Sequence, residues 1–251
     1  MSKWNDEGVI LSLSKQGERG LIINALTNNH GRHLGWYTVR SKKTNIIQPG
    51  DIVSLKWNAR LADQMGLFSI ELIQNTVGKI IHDNIKLSIL SSFCSLLLFF
   101  LPERQNCANL YLVSKIFLNE LINEKKQINL ILKNYLIWEI NVLKELGFYF
   151  NLQKCAVSGK TQNLQYVSPK TGNAVSSDYN GKYKQKLLRM PNFLGGVKLI
   201  NDRELDDVIG GFDLNYYFFK KFIININYKF SKQPFLARNR LLENFKSLYE
   251  R

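Results

Sequence analysis

GVILSLSK (residues 8–15), LIINALT (21–27), HLGWYTVR (33–40), DIVSLKWN (51–58) and LFSIELIQ (67–74) are five short apolar runs, several of them alternating with polar residues. A period of two turns one edge of each run to a core and the other to water, the pattern of a half-buried strand. Turn signals stand between the runs at Gly17, Gly20, Gly31, Pro49-Gly50 and Gly66. Five such strands fit a barrel of the OB type, whose curved face and loops take oligonucleotides. A small SH3-like barrel or sandwich that binds protein fits the same strand count, and fold alone does not choose between them.

Charge narrows the partner. The 251 residues carry a net charge of +14, with 45% apolar and 22% charged residues, so the chain is a folded polycation. Residues 1–79 hold ten Lys and Arg against six acids, and residues 151–200 hold eight against the single acid Asp178. The stretches 80–150 and 201–251 are nearly balanced, so the excess lies in the barrel and in one middle segment. Nucleic acid and an anionic membrane surface are the partners such a field attracts. The one membrane candidate, IKLSILSSFCSLLLFFL (85–101), contains Lys86 and serines and stops at Pro102, short of a bilayer span. It reads as a buried core helix. Three cysteines without regular spacing, Cys94, Cys107 and Cys155, argue against a disulfide framework and for a reducing compartment. The start MSKWNDEGV has no apolar core, so no signal peptide is expected.

Beyond residue 79 the period changes to that of a helix. Residues 84–101, 106–123 and 127–146 predict three helices, the last closed by Gly147, and 213–229 and 235–249 predict two more. The short DRELDDVIGG (202–211) reads as a separate element that opens on acids and stops at its glycines. Asn151 to Gly196 is punctuated by five glycines and two prolines and reads as a loop-rich insert with short strands such as LQYVS (164–168). The domains are therefore expected at 1–79 and 80–251, the second carrying the insert at about 151–196.

VILSLSKQGERGLIINALTNNHGR (9–32), with PGDIVSLKWNAR (49–60), resembles the amino-terminal barrel of the bacterial RecO family of recombination mediators. LKELGFYFNLQKCAVSGKTQNLQYVSPKTGNAVS (143–176) and KLLRMPNFL (186–194) are similar to that family's segment joining helices to a zinc-finger-like insert. GGFDLNYYFFKKF (210–222) and ARNRLL (237–242) match its closing helices, so the resemblance runs in order through nearly the whole chain. It implies an α+β multidomain fold: a five-stranded OB-type barrel, then a mainly α-helical domain with the insert. It further implies a DNA repair protein that is not an enzyme and acts in the bacterial cytoplasm, at the nucleoid. Such proteins bind single- and double-stranded DNA and anneal complementary strands. With RecR, and RecF in many bacteria, they load RecA recombinase onto strands coated by single-strand-binding protein.

The candidate DNA contacts are the basic run Arg32, Arg40, Lys42 and Lys43 with Trp36 among them, and Lys182, Lys184 and Lys186 in the insert. Cations neutralise phosphates, and an aromatic face stacks on any base. Alternation sends Trp36 and Tyr37 to opposite faces, so one of them at most is a platform. Lys115, Lys133, Arg238 and Arg240 are candidates for the acidic tail of single-strand-binding protein, which the family holds on its helical part.

No cofactor is expected. Some members of the family hold zinc through four cysteines of the insert, but here Cys155 is followed by Ser158 and GNAVSS (172–177) has no thiol, so no metal is expected. His30 and His33 read as turn or DNA-facing residues, and Cys94 and Cys107 as small apolar groups of the helical core. Asp202, Glu204, Asp206 and Asp207 cluster at a helix start, where dipole and capping roles account for them. No nucleophile or acid–base constellation points to catalysis. A protein-interaction adaptor and an RNA-binding OB protein remain the alternative readings.

Overall fold

The computed structural model describes residues 2–39, 47–61, 63–179, 181–198, 200, 202–226 and 235–250. The chain forms two compact units, Met1–Lys125 with Pro234–Leu241, and Lys126–Gln233 with Leu242–Arg251.

In the first unit β1 (Ser2–Gln16), β2 (Gly20–Thr27), β3 (Gly31–Thr38), β4 (Ile52–Ala59) and β5 (Gly66–Gln74) close a barrel in the order β1-β2-β3-β5-β4. This Greek-key order, with β5 lying parallel to β3, is that of the OB barrel. β1 starts six residues before the expected Gly8. Its first half, SKWNDE, looks too polar for a strand, yet it pairs with β4 from Ser2↔Ala59 to Val9↔Ile52 and sets Trp4 opposite Trp57. The second half pairs with β2, and a bulge between Ile10 and Ser12 lets one strand serve both neighbours. Ile10, Ile23, Ala25, Val53, Leu55, Trp57 and Phe68 form the barrel core.

Three helices follow the barrel in this unit: α1 (Thr76–Ile80), α2 (Asn84–Phe100) and α3 (Ala108–Leu121). The buried Asp51 carboxylate accepts from Gln48 N and Thr76 N, both at 2.9 Å, and so joins the start of β4 to the start of α1. α2 is the apolar run expected as a core helix, with Ile89, Phe93, Leu96 and Leu97 buried. Lys86 is tolerated there because its Nζ donates to Asn123 O at 3.1 Å. Among the described residues no helix is long and apolar enough to cross a membrane. Cys94 and Cys107 are buried, and burial pushes the Cys94 thiol up to about 12.

The second unit packs α4 (Ile128–Glu145) against α5 (Glu204–Asn225). Asn215 on α5 donates Nδ2 to Leu136 O (2.9 Å) and to the buried Glu139 (3.0 Å). The expected break at Gly210-Gly211 is absent, and DRELDDVIGG runs on into one 22-residue helix. These glycines serve packing: a Cβ on Gly211 would lie 2.7 Å from Leu136 Cδ1 and 2.8 Å from Phe193 Cζ. The insert holds a small sheet of β6 (Leu164–Val167), β7 (Ala174–Ser176) and β8 (Leu188–Arg189) in the order β7-β6-β8. α6 (Leu236–Lys246) closes the chain.

Candidate nucleic-acid interface

Tyr37 packs against the barrel core, and Trp36, of opposite parity, faces outward and is half-buried. The ring of Trp36 lies over Gly20, where a Cβ would fall 2.2 Å from ring carbon Cζ2, so only glycine admits the indole there. Parallel pairing of β3 with β5 is confined to Gly35↔Gly66 and Trp36↔Leu67. Past that point the two strands diverge and leave a cleft of about 470 Å³, lined by Trp36, Thr38, Ser54, Lys56, Leu67 and Ser69 among others. The cleft therefore offers an anchored aromatic, hydroxyls, a lysine and one carboxylate, Glu71, at the barrel's least-paired seam. Arg40, Lys42 and Lys43 follow β3 in sequence but lie outside the described residues. Ser54 and Lys56 were legible in DIVSLKWN, since they alternate with the core residues Val53, Leu55 and Trp57.

Arg32 has a different setting. Its side chain is only 13% exposed, its Nε donates to Leu101 O at 2.8 Å, and Glu103 stands 3.7 Å away. Burial lowers its pKa and Glu103 partly restores it. Arg104 N donates to Arg32 O at 2.8 Å, and Asn106 Nδ2 to Asn29 O at 2.9 Å. Arg32 thus braces the α2–α3 connector against the barrel.

The histidines divide likewise. His30 stays in its turn, stacked on Trp4 with ring centroids 4.1 Å apart, and its Nδ1 lies 2.8 Å from Asp6. His33 is not DNA-facing: it is 5% exposed, set edge-on to Trp4 and Trp57. Burial, reinforced by Arg104 and His30, depresses its pKa to about 4.

In the insert the structure brings Lys182, Lys184 and Lys186 together on one short 3-10 turn, Lys184–Lys186, and its flank. Lys182 and Lys186 place their Nζ atoms 5.1 and 5.9 Å from the Tyr183 ring centroid. The cations proposed for a protein tail have different local settings. Lys115 pairs with Glu7 at 2.6 Å in the first unit, Lys133 pairs with Glu204 at 2.6 Å in the second, Arg238 is 3% exposed, and Arg240 is exposed. The acids at the start of α5 are engaged in structure, Asp206 with Arg203 and Asp207 with Asn192 N.

Cys155 does not fit a zinc site. Its Sγ accepts from Ser158 N (3.4 Å) and Ser176 N (3.3 Å), and among the described residues no three His, Cys, Asp or Glu side chains are placed to hold a metal.

Comparison with known proteins gives the family. The family model described as "Recombination protein O N terminal" matches residues 1–76, and "Recombination protein O C terminal" matches residues 81–208. A protein of Wolbachia sp. subsp. Drosophila simulans named "DNA repair protein RecO" is 33% identical over 232 residues, 91% of this chain and 95% of the relative. Proteins of the same name from Ehrlichia chaffeensis and Dinoroseobacter shibae are 34% identical over 221 residues and 38% identical over 199 residues. These matches cover 87% and 78% of this chain, and 89% and 81% of the relatives.

Proposed function

The chain belongs to the RecO family of DNA repair proteins, and from that premise we propose that it binds single- and double-stranded DNA and anneals complementary strands without being an enzyme. In this reading it helps load RecA recombinase onto strands coated by single-strand-binding protein, with RecR and, where present, RecF. It works in the cytoplasm, at the nucleoid.

The observation that carries the reading is Trp36, held outward on Gly20 in a cleft of the barrel immediately before Arg40, Lys42 and Lys43 in sequence. A fixed indole stacks on bases of any sequence, and adjacent cations neutralise the backbone, which is what an annealing protein requires. The insert lysines Lys182, Lys184 and Lys186 supply a second cationic contact. Arg32 belongs to this interface as its brace. Contact with the acidic tail of single-strand-binding protein falls to the helical part, with Arg240 exposed and Lys115 and Lys133 first exchanging Glu7 and Glu204.

The test is strand annealing by the full chain. Wild type should accelerate the pairing of complementary oligonucleotides. Trp36→Ala should weaken single-strand binding about 5- to 150-fold, the equivalent of roughly 1–3 kcal/mol per stacked base. Arg40, Lys42 and Lys43 changed together to Ala should lower the logarithmic salt slope by about 2, at ~0.7 per phosphate contact. DNA binding without annealing by the intact protein would favour an adaptor, and tighter binding of a matched RNA strand would favour RNA recognition.

A further inference from the structure

A second cavity, of about 520 Å³, lies within the insert and opens to solvent. Val157, Val175 and Leu187 supply apolar wall, Tyr179 and Tyr183 supply aromatic rings, and Lys170 and Lys186 stand at its edge. Tyr183 is 51% and Val157 66% exposed, so the pocket presents large apolar groups to water. Its frame is built in advance. Lys221 on α5 donates Nζ to Pro169 O (2.7 Å) and Lys170 O (3.2 Å), tying the turn after β6 to the helix. Cys155, behind Ala156 and Val157, is held by the amides of Ser158 and Ser176.

We propose that this pocket takes an unpaired base of a DNA strand, stacked on Tyr183, with Lys182 and Lys186 on the flanking phosphates. The proposal rests on the DNA reading above and adds a second base-holding site to the barrel cleft. Three observations favour a base and its phosphates. The pocket is concave and mostly apolar with a few cations at its edge, as sites for flat ring systems are. No acidic side chain occurs among the described residues that line it, and the insert's single acid, Asp178, is paired with Lys160 at 3.1 Å. Lys182 and Lys186 hold their Nζ atoms over the Tyr183 ring, at 5.1 and 5.9 Å from its centroid, and a base stacking there displaces these flexible cations onto its own phosphates.

The experiment compares two labelled strands of equal length, oligothymidylate and an abasic deoxyribose-phosphate chain, on the full-length protein in wild-type and Trp36→Ala backgrounds. Tyr183→Leu should weaken oligothymidylate binding about 5- to 150-fold and leave the abasic strand unchanged. Tyr183→Phe should behave as wild type. Lys182→Ala with Lys186→Ala should weaken both strands and lower the salt slope by about 1.4. The pocket assignment is overturned if Tyr183→Leu affects both strands equally or neither. It is also overturned if an acidic, aromatic-ended peptide loses binding in Tyr183→Leu while oligothymidylate does not, which would give the pocket to a protein partner. Loss of annealing in Trp36→Ala together with indifference to Tyr183→Leu removes only the pocket. Failure of wild type to bind either strand removes the DNA reading and the pocket with it.

Discussion

Acid should loosen the barrel through His33. The imidazole sits among Trp4, Trp57 and the barrel core, and neither ring nitrogen has a hydrogen-bond partner among the described residues. Burial first, and the positive charges of Arg104 and His30 second, keep it neutral down to about pH 4, against an ordinary value of 6.5. In the unfolded chain the same ring takes up a proton near 6.5. Between these values the unfolded state binds more protons, so stability is full above 6.5 and is lost as pH falls toward 4. The gap corresponds to about 3 kcal/mol in all, at ~1.36 kcal/mol per unit, of which about 1.4 kcal/mol is gone by pH 5.5 and about 2.6 kcal/mol by pH 4.5. Urea unfolding followed by tryptophan fluorescence reads this unit well, because Trp4, Trp36 and Trp57 of the four tryptophans lie in the barrel. His33→Phe keeps a ring of similar size and removes the titration. The wild-type minus variant difference should grow by about 2.6 kcal/mol between pH 7.5 and 4.5. Parallel losses in the two proteins would refute the assignment, because the acid sensitivity would then belong to other groups.

Arg32→Ala should cost about 1.5–3 kcal/mol, since it strips a charge-assisted bond from the Leu101 carbonyl, while the salt slope of DNA binding stays unchanged. A slope that falls by ~0.7 with stability intact would return Arg32 to the phosphate contacts. In α5, Gly210→Ala should stabilise by about 1 kcal/mol through helix propensity, since its Cβ would meet only Pro191 Cγ at 4.0 Å. Gly211→Val should destabilise by about 1–3 kcal/mol by overpacking Leu136 and Phe193, and thermal unfolding reads both. Equal effects at the two glycines would count against the packing account.

What could be read from the sequence was what is local. Parity along HLGWYTVR separates Trp36 from Tyr37, and the same parity puts His33 with Gly35 and Tyr37 on the inner face, a signal outweighed by the habit of reading a histidine beside a turn as exposed. The strand in SKWNDE was invisible because the rings that half-bury Trp4, among them Trp57 of β4 and His30, are distant in sequence and reach it only in the fold. The placing of β5 between β3 and β4, and with it the seam that opens the cleft, is a long-range pairing that no window of sequence contains. Arg32 looks like any member of a basic run until the carbonyl of Leu101, 69 residues away, is brought to it. At Gly210-Gly211 the local rule that glycines end helices loses to the close approach of α4.

The insert is a small loop-rich segment gathered around one sulfur. Where four thiolates hold a zinc ion, metal binding itself supplies folding free energy. Here one sulfur remains, and backbone amides from two separate loops, at Ser158 and Ser176, converge on it. Burial opposes ionisation of Cys155, but hydrogen bonds from Ser158 and Ser176 outweigh it and bring the thiol down to about 7, so the sulfur accepts these bonds with appreciable thiolate character. Cohesion comes also from Leu164, Val167, Ala174, Val175 and Met190, all buried, and from the Lys221 clamp on the turn after β6. The loops are thus centred on one sulfur that accepts two backbone amides. The segment remains strongly cationic, with eight Lys and Arg against one acid in residues 151–200.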